Sequence, residues 1–577
     1  QPILKDFRNV ECRDAVLAWD SVSYAADETG KPLTRWDGRT TKPHPVTGEP
    51  VPDEAARIPL ERYENPRPAQ WPQADFIVGN PPFIGNKRMR DALGDGYVEA
   101  LRGAWKEMPD TADFVMYWWE HAAKLVREHR VRSFGFITTN SLRQTFNRQI
   151  IDRHLNAKPA LGLRYAIPDH PWVDSTNGAD VRIAMTVGAP APVDGRLAVV
   201  SGETAAADGE IEVTLDTRSG EVHADLTVGA KVGSAQKLAA NQGVCFQGMN
   251  LVGKGFRLTP EEVQSLGYTL DALPDVIKPH RNARDMMQGG EDCFVIDLFG
   301  LTAEQARETH PALYQWLLDR VKPERDHNNR ESRRKNWWIF GEPVGRLRRA
   351  WGGLNRVVLT PETSKHRVFS YQALPFCPDH KLYVVCSTDA YVLGVLSSNA
   401  HAIWALRAGG RLGVGNDPTW TNTTCFLTFP FPAASEAQQA RIRDLAEQLD
   451  AHRKRQQAAH ESLTLTGMYN VLEKLRSSEP LTAKEKTIHE QGLVGVLKTL
   501  HDEIDAAVLD AYGWGDLAAR LADVTQREAA RETLLERLVA LNAERAAEEA
   551  KGLVRWLRPE FQNPATVSAP QQADLPV

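Results

Sequence analysis

Cysteine is scarce in this chain. The six residues at positions 12, 245, 293, 377, 386 and 425 form no C-x-x-C pair and no metal-ligand spacing, so they read as reduced, mostly buried thiols, and no metal site is expected. No apolar run approaches the length needed to cross a bilayer, and the start, Gln1-Pro2-Ile3-Leu4-Lys5-Asp6, is not a signal peptide; the expectation is a soluble, cytoplasmic protein. There is no excess of positive charge, because the net charge is −6, which is not the balance of a general nucleic-acid binder. Upstream of Asn80 there is also no Gly-x-Gly turn of the kind that lets backbone approach a nucleotide-like cofactor after a first strand. The sequence therefore reads as lacking the opening of a cofactor domain.

What remains is a globular composition, 42% hydrophobic over 577 residues, enough for two to four domains. The stretch that organises the chain is Ala74-Asp75-Phe76-Ile77-Val78-Gly79-Asn80-Pro81-Pro82-Phe83. Its short apolar run closed by turn formers predicts a buried strand over 76–79. Pro81 cannot donate to a sheet and holds Asn80 extended, so the strand stops in a stiff ledge. That ledge suits chemistry on an exocyclic amino nitrogen, whose lone pair is delocalised into its ring. Asn80 Oδ1 and the Pro81 carbonyl can accept its two N–H bonds, Pro82 stiffens the turn, and Phe83 offers a face for stacking.

These residues resemble the Asn-Pro-Pro-aromatic motif of class I S-adenosylmethionine-dependent amino-methyltransferases that act on adenine N6 in DNA. The same tetrapeptide occurs in enzymes that methylate a glutamine amide. The longer stretch, from the ledge through Thr428-Phe429-Pro430-Phe431-Pro432 to Met468-Tyr469-Asn470, resembles the MmeI-type (Type IIL) adenine methyltransferases and the related enzymes of phage-defence systems such as DISARM. The resemblance implies S-adenosylmethionine as cofactor and double-stranded DNA as partner, with separate nuclease or defence-system subunits as further partners. It implies that Asp14, Asp113 and Phe114 border the cofactor, and that Trp172 supplies a second aromatic face for a flipped base.

The implied fold class is α/β: a partial Rossmann-like methyltransferase domain over 1–190, an α+β target-recognition domain over 191–432, a helical region over 433–560 and a disordered tail over 561–577. Residues 26–73, polar and proline-rich, read as a long surface loop, and Val181–Val187 as the closing strand of the sheet. Asp-Gly at 194–195 and 208–209 and Ser-Gly at 219–220 suggest hairpins. Ile277–Asp285 reads as a basic loop.

Positive charge is focused locally. Residues 320–349 hold ten Lys/Arg against four Asp/Glu. Arginine beside asparagine and tryptophan suits groove reading, so Arg330, Arg333, Arg334, Lys335, Arg348, Lys365 and Arg367 are DNA-contact candidates, joined by Lys87 and Arg88 after the ledge. Glu549-Ala550-Lys551 is the one E-x-K triplet weighed as a nuclease remnant, and it reads as a solvated helix face. Two other functions fit the sequence: a non-catalytic DNA-binding specificity subunit, and a protein-glutamine or RNA amino-methyltransferase.

Overall fold

The computed structural model describes residues 10–43, 48, 50–173, 180–205, 211–290, 292–328, 330–412 and 417–564. The chain forms two compact units, the first running to Gly229 and the second from Ala230 onward.

The first unit is built on a six-stranded mixed sheet. Its strands are β1 (Phe76–Gly79), β2 (Ser133–Thr139), β3 (Leu161–Val173), β4 (Asp180–Pro190), β5 (Gly195–Ala205) and β6 (Ile211–Gly220), in the order β6-β5-β3-β4-β2-β1. β1 runs parallel to β2, β4 is antiparallel to both β2 and β3, and β3 pairs in parallel with β5. Helices α1 (Asn86–Leu93), α2 (Asp95–Ala104), α3 (Val115–Arg127) and α4 (Thr145–Leu155) follow β1 and β2.

β2 forms because Ser133-Phe-Gly-Phe-Ile-Thr-Thr alternates: Phe134, Phe136 and Thr138 are buried, and the residues between them half-buried. The buried set meets α3, which lies against the sheet. Trp119 is fully buried, edge-on to Phe134, and its indole N–H donates to Thr186 Oγ1 at 3.2 Å. Burial of that size contributes about 1.5–3 kcal/mol per large side chain. α3 and α4 are joined through the buried Glu120, which bonds His154 and Arg153. Burial alone would raise this carboxyl, but the His154 hydrogen bond and the charges of His154, Arg153 and Lys124 outweigh it and hold it at about 2.

Several expectations change here. The strand over 76–79 exists but is the edge of the sheet rather than a buried centre, with Phe76 60% and Val78 86% exposed. An apolar run does not reveal whether both its faces are covered. Val181–Val187 is an inner strand, not the closing one, and the sheet continues past residue 190 through β5 and β6. Asp194–Gly195 makes no hairpin, since β5 crosses over to pair with β3; Ser219–Gly220 merely ends β6, and 208–209 lies outside the described residues. Residues 26–73 are not a loop either. Ser21–Tyr24 with Glu61–Glu64, Thr34–Trp36 with Arg57–Pro59, and Thr41–Pro43 with Pro50–Pro52 form a ladder of short antiparallel pairs, with prolines at the pair ends where they disturb few bonds.

The second unit has two four-stranded sheets. One orders Cys245–Gln247, Leu382–Val385, Arg356–Pro361 and Ser370–Ala373; the other orders Arg257–Leu258, Phe294–Ile296, Ile277–Arg281 and Cys377–Pro378. The expected basic loop at 277–285 is thus a strand followed by a helix, with His280 buried. A short helix α5 (Glu331–Lys335) carries the basic stretch, and α6 (Asn399–Ala408), α7 (Glu436–Ala459), α8 (Leu465–Ser477), α9 (Val494–Ala511) and α10 (Arg527–Ala550) build the helical region. α7 starts on a capping box, Ser435 with Gln438. Glu549, at the end of α10, is half-buried and engaged: its two carboxylate oxygens accept the backbone N–H groups of Ala239 and Ala240 at 2.6 and 2.9 Å.

At the centre of this unit His401 is fully buried among Phe369, Trp420 and Phe429, and Trp420 Nε1 donates to its Nε2 at 3.0 Å. Burial first, then the Arg367 charge, lowers its pKa to about 3. An unfolded histidine binds a proton near pH 6.5, so below that pH the unfolded chain takes up protons that the folded one refuses. Stability supplied by neutral His401 is complete above about pH 6.5 and is lost as the pH falls toward 3. Denaturant titrations between pH 7 and pH 4 should show stability falling on acidification, with a shallower fall in His401→Gln; an equal slope in the two proteins removes His401 from the account.

Candidate functional site

β1 ends at Gly79, where an added Cβ would come within 3.3 Å of the Phe136 ring, a tight contact that the ring would have to yield to. Beyond it Asn80 and Pro82 are exposed, Pro81 is buried, and Phe83 is 37% exposed. Among the described residues neither the Asn80 amide nor the Pro81 carbonyl makes a hydrogen bond. The Asn80 amide and the Phe83 ring therefore stand open at the carboxyl end of a parallel strand, the end at which open α/β sheets bind ligands, with the unbonded carbonyl of the buried Pro81 between them.

The loop after them is fixed. Ile84 N–H donates to the Pro82 carbonyl at 3.1 Å, and Phe114 N–H to the Ile84 carbonyl at 2.9 Å. Asn86 is held twice, its N–H donating to Asp113 Oδ1 at 2.9 Å and its Nδ2 to the Thr111 carbonyl at 2.8 Å. Asp113 is only 7% exposed. Its Oδ2 accepts Ser141 Oγ at 2.7 Å and Asn147 Nδ2 at 2.8 Å, and its own N–H donates to Asn147 Oδ1 at 3.1 Å. One carboxylate thus ties the loop after the ledge to the end of β2 and to α4. Asn147 and Ser141 were not found from sequence, because a lone Asn in a helix and a Ser after a strand carry no signal of their partner.

The residues expected to border a cofactor are engaged otherwise. Asp113 is this clamp. Phe114 is 4% exposed and packs edge-on against Trp118 with ring centroids 4.8 Å apart. Asp14 Oδ1 accepts the N–H groups of Val16 and Leu17, both at 2.8 Å, and its Oδ2 accepts the Tyr97 hydroxyl at 2.7 Å. Burial and that hydrogen bond to Asp14 push the Tyr97 hydroxyl far above its ordinary pKa, so it stays the donor. Among the described residues, Asp14 and Asp113 thus accept three protein donors each, and Phe114 lies in the core.

Trp172, 38% exposed, lies near the end of β3, opposite Val181. β3 reaches the same end of the sheet as Asn80 but three strands away, a lateral offset of roughly 14 Å at ordinary strand spacing. Between them runs a charged bracket that sequence reading did not find. Arg182 Nε donates to both oxygens of Asp169 at 2.8 and 2.9 Å, Arg182 Nη2 to Glu203 at 2.7 Å, and Asn140 Nδ2 to Asp169 at 3.2 Å. It fastens β2, β3, β4 and β5 together at this end.

Of the DNA-contact candidates, Lys87 and Arg88 are exposed on the first turn of α1. In the second unit Arg330, Arg334 and Lys335 are exposed at α5. Lys365 is exposed and bonds Asn470 and Glu473. Three candidates turn inward. Arg348 makes a bidentate pair with the buried Asp297 at 2.7 and 3.0 Å, and Arg333 lies largely buried on Glu342 at 3.0 Å. Arg367 donates to Thr360 Oγ1 and to the carbonyls of Pro361, Glu362 and Pro418, and burial lowers its pKa to about 10. Arg348 and Arg367 hold the fold, because a guanidinium engaged by several protein acceptors has few donors left for a base edge, and Arg333 is turned inward by its pair with Glu342.

A mixed α/β sheet ending in an open Asn-Pro-Pro-Phe, followed by a unit of small sheets and long helices, defines the class of a methyltransferase domain joined to a target-recognition domain. The chain belongs to the MmeI family: residues 4–193 match the model of the MmeI DNA-methyltransferase domain, and residues 232–433 that of the MmeI target recognition domain. It is similar to DNA methyltransferase A of Bacillus subtilis (strain 168), 21% identical over 450 residues, which span 77% of this chain and 46% of that protein. It shares its fold with the Type IIL restriction–modification enzyme MmeI solved in complex with DNA, at 18% identity and a TM-score of 0.61, covering 82% of this chain and 57% of that one. The chain thus spans about half the length of the curated relative it matches.

Asp113→Ala would take the carboxylate acceptor from one Asn147 N–H, the other still donating to the Ser141 carbonyl at 3.0 Å, and each unsatisfied buried polar group costs about 1–3 kcal/mol. The expected result is a loss of stability of that order in urea, together with faster hydrogen exchange at Asn86. Unchanged exchange there would show that the loop is held by other contacts.

Proposed function

We propose that this chain presents the target base, and reads the site, in a DNA adenine-N6 methyltransferase that uses S-adenosylmethionine, serving restriction–modification or phage defence. The observation that carries this reading is the exposed Asn80 amide, without a hydrogen bond among the described residues, beside the exposed Phe83 ring, with the unbonded Pro81 carbonyl between them as second acceptor. An adenine extruded from a duplex would stack on Phe83 and donate both N6–H bonds to those oxygens. Drawing the two N–H bonds toward fixed acceptors bends the planar amino group toward a pyramid and localises its lone pair. Extrusion costs a few kcal/mol, and stacking worth about 1–3 kcal/mol with two hydrogen bonds offsets it. The proline between the acceptors fixes their geometry in advance, so no ordering is needed at the moment of reaction.

No step here is routed through the methyl donor: Asp14 and Asp113 already accept three protein donors each, and Phe114 is buried. That same fact is the observation in favour of the second reading, a specificity subunit without catalysis. Against a protein-glutamine or RNA substrate stands the second unit, which matches a target recognition domain and exposes Arg330, Arg334 and Lys335 together at α5.

Two measurements test the proposal. In cells carrying the enzyme, Asn80→Ala should lower methylated adenine, mapped by long-read sequencing, by about 100-fold or more, the usual cost of removing one preorganised polar group; undiminished methylation excludes Asn80. Replacing Arg330, Arg334 and Lys335 by alanine should weaken duplex binding and flatten its dependence on log salt by up to ~0.9 for each phosphate that the side chains no longer neutralise. An unchanged slope would place DNA elsewhere.

A further inference from the structure

A cavity of about 550 Å3 opens within the second unit, bounded by residues of α7, of α10 and of the segment Leu553–Pro559 that follows α10. Small-molecule sites span about 300–1,000 Å3, so it has the size of a ligand pocket. Its walls carry two kinds of group. Three rings, Tyr391, Phe431 and Trp556, form the aromatic part, and three guanidinium groups, Arg443, Arg545 and Arg555, the charged part.

The three arginines are not equally engaged. Arg443 donates Nε and Nη2 to the two oxygens of Asp389 at 2.7 and 2.9 Å, which closes that pair. Arg545 and Arg555 share one carboxylate, Glu548, which accepts Arg545 Nη1 at 2.8 Å and both Nη groups of Arg555, Nη2 at 3.0 Å. Glu549, on the same wall, spends its oxygens on the Ala239 and Ala240 N–H groups, and the exposed Glu544 comes only within 3.8 Å of Arg545. One guanidinium charge is thus left without a close carboxylate of its own. Arg545 has donors to spare: its side chain is 13% exposed, and its buried Nε–H has no partner among the described residues. A buried donor left unpaired costs about 1–3 kcal/mol, and folded proteins keep few of them. An acceptor entering the cavity would account for this one.

The rings are held in advance. The Tyr391 hydroxyl donates to the Pro432 carbonyl at 2.9 Å, and Phe431 packs edge-on to Phe429 with centroids 5.2 Å apart. Trp556 is half-buried and, among the described residues, meets no other ring. The chain around it is pinned, by Arg555 on Glu548 before it, and after it by Leu557 N–H and Gln562 Nε2, which donate to the Ala240 carbonyl at 3.4 and 2.9 Å. A free indole face beside arginines with unused donors matches a planar ring that bears an anion: the ring stacks, and the guanidinium fork takes the oxygens. We propose that this cavity binds a nucleoside monophosphate, its base on Trp556 and its phosphate on Arg545 and Arg555. One surplus positive charge suits a single phosphate better than a triphosphate chain. The proposal goes beyond the reading of Asn80–Phe83 and does not depend on it.

The test uses the full chain and, as probes, the four ribonucleoside monophosphates, with their nucleosides and inorganic phosphate beside them. Calorimetry should detect one of the monophosphates binding at a single site, about tenfold or more tighter than its nucleoside or phosphate alone, and the same nucleotide should raise the melting temperature. Trp556→Ala should weaken that binding by about tenfold, the loss of one stacked base. Arg545→Lys, which keeps the charge but removes the fork, should weaken it similarly; if that variant fails to fold, Trp556→Ala decides, because its ring is only half-buried. Arg441→Ala, an exposed arginine of α7 outside the cavity, should leave the affinity unchanged. The proposal is overturned if no monophosphate binds, if inorganic phosphate binds as tightly as the nucleotide, if Trp556→Ala and Arg441→Ala behave alike, or if duplex DNA displaces the nucleotide, which would assign these arginines to the DNA path.

Discussion

The buried carboxylate of Asp113 governs the geometry on which the site depends. A strand that ends in two prolines is stiff at the prolines but has no partner of its own beyond them. Asp113 supplies that partner, taking the Asn86 amide on one oxygen and the Ser141 and Asn147 side chains on the other. Because Asn147 also receives the Asp113 N–H, the pair is reciprocal, and the loop can shift only if a buried polar group goes unsatisfied. Fixed beyond Pro82 and closed below by Gly79 against Phe136, the chain leaves one short interval free to meet a ligand, and that interval carries Asn80.

Charge in the second unit follows a similar economy. A run of ten basic residues in thirty reads as a nucleic-acid face, yet several of its arginines are structural. Arg325 is fully buried and donates to the carbonyls of Leu251, Val252 and Ile339, and Arg348 neutralises Asp297. The guanidinium suits this work because its planar donors can bind several carbonyls that no regular ladder reaches. What remains exposed for a polyanion is the set at α5 together with Arg320, Arg346 and Arg349.

The sequence made the ledge legible because proline and asparagine act locally: they end a strand wherever it lies. The helices after 433 were legible for the same reason, through Ser435, Thr482 and the apolar spacing of α10. Burial was not. Phe76-Ile-Val reads alike at the centre of a sheet and at its edge, and only the order of strands, a property of distant residues, decides between them. The partners of Asp14 and Asp113 were hidden for that reason too: Tyr97 and Asn147 lie 83 and 34 residues away, and no spacing rule connects them. The apparent loop at 26–73 failed differently, since prolines that argue against a central strand are tolerated at the ends of short exposed pairs.

The central claim is that Asn80 and Pro81 hold an extruded purine by its amino group. A structure of the enzyme bound to a duplex containing its site tests it directly. The account requires the adenine N6 to lie about 2.7–3.2 Å from both Asn80 Oδ1 and the Pro81 carbonyl, with the ring on Phe83. An adenine still stacked in the helix, or an Asn80 amide turned to a protein partner, would contradict it.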